Sequence, residues 1–408
     1  MSIRRAPRLR LAALMAAVAV VAGLPRAGSA EPLSARQPPP TYREWFQYNE
    51  EAKARWEVVP AAGTHLRVGL RLRDASKRVA GKRIFVLYPR ASSAYDVAIT
   101  KILEVFEDKD IKAEFTVANF TNNDEAGNAA LAEAKDGKYD LILSMGSEST
   151  AWLYQHYKGG RLPVISVCSK DPVLLGQMRG YDSGSNNNFA FTSLNAPIEG
   201  QMAYLLELKP GLKNLAVLVD SKNVSAVQTQ AEPMAAEARR RGIQFLMVAV
   251  QDPTRAREEL ATLVPAAVAT MRKSDPTLAN SMFWITGSTA VFKEIATINA
   301  GADRVPVLSA VPEVVKAGDD SAVLSVGISF ESNAHLAAVY AADVLSGRAR
   351  VGDLKVGVVT PPDIAINFRK SREIGLQMPF RFFESATSIY DYEGRPARQN
   401  GKSMTRRE

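Results

Sequence analysis

Lys82-Arg83-Ile84-Phe85-Val86-Leu87-Tyr88 and Asn214-Leu215-Ala216-Val217-Leu218-Val219 decide the fold between them. Each is an apolar run of strand length. A polar turn (89–93 or 220–225), a helical segment and a second strand from Ile111 or Ile243 follow. The offset is 131 residues at Val86/Val217 and 132 at Ile111/Ile243, so one unit is written twice with a single insertion. A β-α-β unit of this kind opens a Rossmann-like lobe, and two lobes in one chain leave a cleft between them. Function is expected in that cleft.

Outward from these strands the pattern stays α/β. Apolar runs at 84–88, 113–117, 141–145, 164–167 and 189–192 read as first-lobe strands, with helical patterns such as 97–106 and 125–135 between them. A second series follows at 215–219, 245–250, 282–285 and 305–310, with helices at 198–206, 227–241, 253–264 and 290–300. Strands alternating with helices of about ten to fifteen residues indicate mostly parallel sheets. Residues 323–328 lead into a helix at 331–345, and 363–367 is a last strand. Ahead of the first lobe, 41–59 reads as a helix laid on the body, with Tyr42, Trp45, Phe46 and Trp56 as its apolar stripe.

The ends differ in character. Residues 1–30 read as a secretory signal: Arg4, Arg5, Arg8 and Arg10 precede the apolar run 11–24, and Gly28-Ser29-Ala30 prepares a cut before Glu31. A proline-rich linker occupies 34–40. The formal charge of +8 sits largely at the ends. Residues 1–30 hold five Arg and no acid, and 394–408 add a net four, leaving about −1 for 31–393. A near-neutral body lacks the basic face that nucleic acid requires. The basic tail, 392–408, reads as disordered.

Signatures of catalysis are missing. The 146–150 run reads Gly-Ser-Glu-Ser-Thr rather than a nucleophile elbow, and no phosphate-binding glycine loop follows the first strand. His65, His156 and His335 have no metal-ligand spacing. Cys168, the only cysteine, ends an apolar strand and reads as a buried structural thiol. No catalytic residue, metal or cofactor is expected.

Several motifs, in order, resemble one family. They are Asp171-Pro172-Val173 after a short strand, Asn195-Ala196-Pro197-Ile198-Glu199 into a helix, and Leu208-Lys209-Pro210-Gly211-Leu212-Lys213-Asn214 into a strand. Val305-Pro306-Val307 with Glu313-Val314-Val315-Lys316-Ala317-Gly318 follows, then Val326-Gly327-Ile328-Ser329-Phe330, Ile366-Asn367-Phe368-Arg369-Lys370-Ser371 and Ile374-Gly375-Leu376-Gln377-Met378-Pro379. Together, over roughly 82–391, they are similar to the ABC-transporter substrate-binding proteins of the tryptophan and tyrosine type. The resemblance implies the type I periplasmic-binding architecture, with three interlobe crossovers. Lobe one is then 82–193 plus 321–350 and lobe two 194–320 plus 351–391, after a linker and helical extension at 31–81. It further implies a monomeric periplasmic protein that captures a small polar ligand, such as an amino acid or related carboxylate, for an ABC permease. An alternative in the same fold is a sensing module that presents its closed form to a membrane sensor kinase or chemoreceptor.

Candidate ligand contacts lie in the loops after strands. In lobe one these are Ser92, Ser93 and Tyr95, then Gly146, Ser147 and Ser149, where a helix start suits an anionic group or the serines serve only as caps. Ser169 and Asp171 follow the fourth strand, and Asp171 either receives a ligand ammonium or forms its own turn. In lobe two, Ser221 and Asn223 match Ser92 by the internal repeat, and Ser288 and Thr289 follow the third strand. Glu313, Ser329 and Glu331 lie at the later crossings.

Overall fold

The computed structural model describes residues 41–74, 76 and 81–404. The expected signal (1–30), the linker at 34–40 and the last four residues of the tail lie outside the described residues. Seven strands form the first sheet: β1 (Trp56–Pro60), β2 (Arg67–Leu72), β3 (Lys82–Tyr88), β4 (Ala113–Asn119), β5 (Leu141–Met145), β6 (Val164–Val167) and β7 (Phe189–Ala190). Their order is β1-β2-β4-β3-β5-β6-β7. Then come β8 (Thr192–Ser193), β9 (Asn214–Asp220), β10 (Gln244–Val250), β11 (Ser281–Ile285), β12 (Val307–Ser309), β13 (Leu324–Gly327), β14 (Gly357–Val358), β15 (Asp363–Asn367), β16 (Ser388–Tyr390), β17 (Pro396–Gln399) and β18 (Lys402–Ser403). The second sheet runs β10-β9-β11-β12-β13-β15-β16-β17-β18, and β14 pairs with β8 apart from both.

The repeat in sequence is a repeat of topology. β3 lies between β4 and β5, and β9 lies between β10 and β11, all in parallel. β5 and β9 are buried at every position, because helices cover both faces of a parallel sheet. Gly69 and the flanking apolar residues of β2 instead extend the first sheet with an antiparallel β1–β2 hairpin, β2 joining β4.

Three segments cross between the sheets: 194–197 into helix Ile198–Leu208, 328–329 into helix Phe330–Leu345, and 359–362 between β14 and β15. The first and third run side by side, since β8 and β14 pair in parallel. Helix Phe330–Leu345 packs along helix Ser93–Asp108 of the first lobe. One apolar cluster is continuous across the junction, taking in Tyr95, Met145 and Val167 from one side, Ile285, Val291 and Val311 from the other, and Phe330 between.

Sheet membership shifts the boundary expected at 321. Leu324–Gly327 hydrogen-bonds between β12 and β15, so the chain returns to the first lobe only at the helix that begins with Phe330. Residues 351–358 stay with that lobe too, through the turn Val351–Asp353 packed on β7 and the β14–β8 pair. The expected helix at 41–59 is mostly absent. A short 3-10 turn (Tyr42–Glu44) and a six-residue helix (Glu50–Arg55) lead into the β1–β2 hairpin. Three of its four aromatics are core: Trp45 and Phe46 pack on Tyr88, and Trp56 meets Phe115 edge-on at 5.6 Å. The tail is also corrected. β17 and β18 form a hairpin that joins β16, and Arg398 donates to the Ala386 carbonyl at 2.8 Å.

Candidate functional site

The carboxyl ends of β5 and β6 face those of β9, β11 and β12 across the crossing segments, and the chemistry of the junction follows from what each strand ends in. β5 runs into helix Gly146–Tyr157, whose N-cap, Met145, supplies no side-chain acceptor. Gly146 has φ +78°, and a Cβ there would overlap the Tyr95 hydroxyl, so only glycine admits Tyr95 behind this helix start. Tyr95 is buried edge-on against Tyr88, with its hydroxyl 3.5 Å from Glu148 Oε2. Glu148 in turn pairs with Arg90 at 3.1 Å. Burial opposes the Arg90 charge, yet Tyr95, Glu148 and, from the second lobe, Asp220 hold its pKa above the ordinary value.

β6 ends in Cys168-Ser169-Lys170-Asp171. Cys168 has φ +53°, the left-handed region, held by its N–H donating to Asn333 Oδ1 at 2.7 Å and its Sγ lying 3.7 Å from the Phe330 carbonyl. Burial pushes its thiol pKa well up, so it stays protonated. Ser169 Oγ is buried without a hydrogen-bond partner among the described residues. The Lys170 N–H donates to Ser147 Oγ at 2.9 Å. Asp171 forms its own turn: Oδ1 accepts from the N–H groups of Val173 and Leu174, and Oδ2 accepts from the Tyr181 hydroxyl at 2.5 Å. These bonds make Asp171 a turn former, the second of its two readings.

In the second lobe, Gly287 follows β11 and donates its N–H to Gln230 Oε1 at 2.8 Å. A Cβ on Gly287 would overlap the Lys170 ammonium, which reaches it from the first lobe. Ser288 is fully buried and accepts from the Asp220 N–H at 3.3 Å. Glu313, after β12, accepts from the Phe330 N–H through Oε1 at 2.6 Å, while Oε2 is buried without a partner among the described residues. Desolvation pushes its pKa from 4.5 up to about 7.

Tyr95, Gly146, Ser147, Ser169, Ser288 and Glu313 thus come to the junction. Others are engaged locally. Ser149 donates to the Leu87 carbonyl inside the first sheet. Ser92 caps helix Ser93–Asp108 while Ser93 is exposed. Ser221 donates to the Val250 carbonyl, Asn223 caps the helix at Val224, and Thr289 opens a four-residue helix. Ser329 caps helix Phe330–Leu345, and Glu331 pairs with Lys101 at 2.8 Å and accepts from Asn400. Sequence reasoning passed over Arg90, Lys170, Gln230 and Asn333. Lys170 alone carried a signal: a charged side chain two positions after the apolar run 163–168.

This pair of lobes, with its three crossings and polar junction, is the type I periplasmic-binding fold seen in ABC-type solute-binding proteins. No family model and no curated protein matches the chain. Among solved structures it is similar to a conserved domain protein from Vibrio cholerae (18% identity, 76% of this chain and 99% of that one, TM-score 0.61). It is also similar to an ABC domain in complex with L-Trp from Streptococcus pneumoniae (17%, 76% and 100%, TM-score 0.59). A third is the ligand-free, open structure of a substrate-binding protein with adhesive properties from Clostridium difficile (18%, 75% and 98%, TM-score 0.56).

Proposed function

We propose that the protein is a solute-binding protein that captures a small polar ligand, an amino acid or related carboxylate, between its two lobes. The observation that carries this reading is the junction itself. Two mostly parallel sheets present their carboxyl ends to one another at three crossing segments, and two buried polar atoms without partners among the described residues, Ser169 Oγ and Glu313 Oε2, lie there. A ligand touching both lobes binds the closed state better than the open one, so it drives closure. In this reading the signal at 1–30 exports the chain to the periplasm, the mature protein is a monomer, and the closed form is what an ABC permease recognises. Binding without catalysis fits a Cys168 thiol held protonated by burial. The L-Trp complex among the similar structures makes amino acids the first class to test.

The test is a thermal-shift screen of ligand-freed protein, refolded from denaturant, against amino acids, small carboxylates, sugars, purines and polyamines. A ligand at about 100 times its Kd stabilises the native state by roughly 2.7 kcal/mol. One class shifting the midpoint, with Ser147→Ala weakening the shift, is the expected result. A flat response to every class sinks the reading.

A further inference from the structure

We propose that Lys170 is the charge that selects the ligand: its ammonium, with the Ser169 hydroxyl, receives an acidic group, so the cleft takes small organic carboxylates and does not require a ligand amine. This rests on the solute-binding reading and deepens it.

Lys170 is only 5% exposed, and among the described residues its ammonium has no hydrogen-bond or ion-pair partner. Buried lysines are ordinarily paired. The side chain leaves the end of β6, crosses the junction and stops at Gly287, where any Cβ would overlap it. Both lobes therefore surround one uncompensated positive charge. Ser169 Oγ, on the preceding residue, is buried at 1% exposure and has no hydrogen-bond partner among the described residues. Next to them stands the uncapped start of helix Gly146–Tyr157, tied to the site by the bond from the Lys170 N–H to Ser147 Oγ. The positive end of that helix adds to the attraction for an anion.

The carboxylates nearby do not cancel the ammonium. Glu148 is committed to Arg90, Asp171 to its own turn and Tyr181, and Asp220 accepts from the Lys222 N–H. Burial lowers the Lys170 pKa to about 8, with Glu148 opposing, so the ammonium form predominates at neutral pH. An arriving carboxylate supplies the missing partner. A ligand amine would meet like charge at this point.

Matched probe sets separate the possibilities: L-tryptophan, L-leucine and L-phenylalanine, each with its deaminated acid and its decarboxylated amine, titrated calorimetrically into ligand-freed full-length protein. The acids of at least one set should bind about as well as the parent amino acid and its amine should not. Lys170→Met should weaken that acid at least tenfold and Lys170→Arg should retain part of it. Unliganded Lys170→Met should melt at or above the wild type, which guards against misfolding as the cause. Binding of amines in preference to acids, or full acid affinity in Lys170→Met, overturns the assignment. So does binding of neutral sugars alone, which leaves solute binding intact. No binding by any probe in this set or the wider screen removes the parent reading and this assignment with it.

Discussion

Glu313 sits where the second lobe meets the helix that begins with Phe330, and its two oxygens differ in kind. Oε1 accepts from the Phe330 N–H, whereas Oε2 is buried with nothing to receive. The native state therefore holds the Glu313 proton more tightly than the unfolded chain does, with the pKa moved from 4.5 to about 7. Stability from this group is fully present below pH 4.5 and is lost as pH rises through about 7. A shift of this size is worth on the order of 3 kcal/mol. Glu313→Gln keeps an acceptor for Phe330 and never ionises. Urea unfolding at pH 5 and pH 8 should show the variant gaining on the wild type at the higher pH; a gap independent of pH would discard this account. Lys170 is the same problem with the opposite sign, an ammonium kept in a place that lowers its pKa to about 8. Groups held at such a cost cluster at functional sites.

At the scale of elements, the misread stretch is the most instructive. Residues 41–59 carry aromatics at spacings that suit a helix, but Trp56-Glu57-Val58-Val59 ends in two β-branched valines and pairs with β2 in register from Trp56↔Leu72 to Pro60↔Val68. The sheet edge at β2 won over the helical pattern, because pairing satisfies β2's free edge and buries Trp56 against Phe115. Trp56→Ala should therefore cost about 3–5 kcal/mol, as a core truncation rather than a surface change. Chemical denaturation reads this directly, and a loss under 1 kcal/mol would return the segment to a dispensable strap. The tail shows the same contest. Its charges suggested disorder, while β17 adds to β16 because Ile389↔Arg398 pairing is available there. In both cases an open sheet edge supplied a partner that no local window contains.

At the scale of the molecule, the lobes communicate through a small contact. Gly287 and Lys170 are 117 positions apart in sequence and meet across the junction. Gly287→Val should push against the ammonium and open the cleft, enlarging the radius of gyration measured by small-angle X-ray scattering and weakening ligand binding. Lys170→Ala in the same chain should restore the compact form, since it removes the group the valine strikes. Failure of the second change to rescue the first would place the effect elsewhere. With wild-type protein, a saturating ligand should shrink the radius relative to the ligand-freed state, as a population shift to the closed form requires.

The sequence by itself determined the two lobes, their parallel sheets and their internal repeat. These rest on local regularities: apolar strand runs such as 83–88 and 214–219 recur with helices between them, and periodicity is written residue by residue. It also marked the loops after β5, β6 and β12 as the place to look, because strand ends in such sheets converge. Only the tertiary structure decided which side chains are free there. Asp171, Ser149 and Asn223 proved to be occupied by their own turns and strands, while Lys170, Ser169 and the far oxygen of Glu313 were left over. Whether a polar group is spent or available depends on partners supplied from distant parts of the chain, and that count closes only after the lobes have packed.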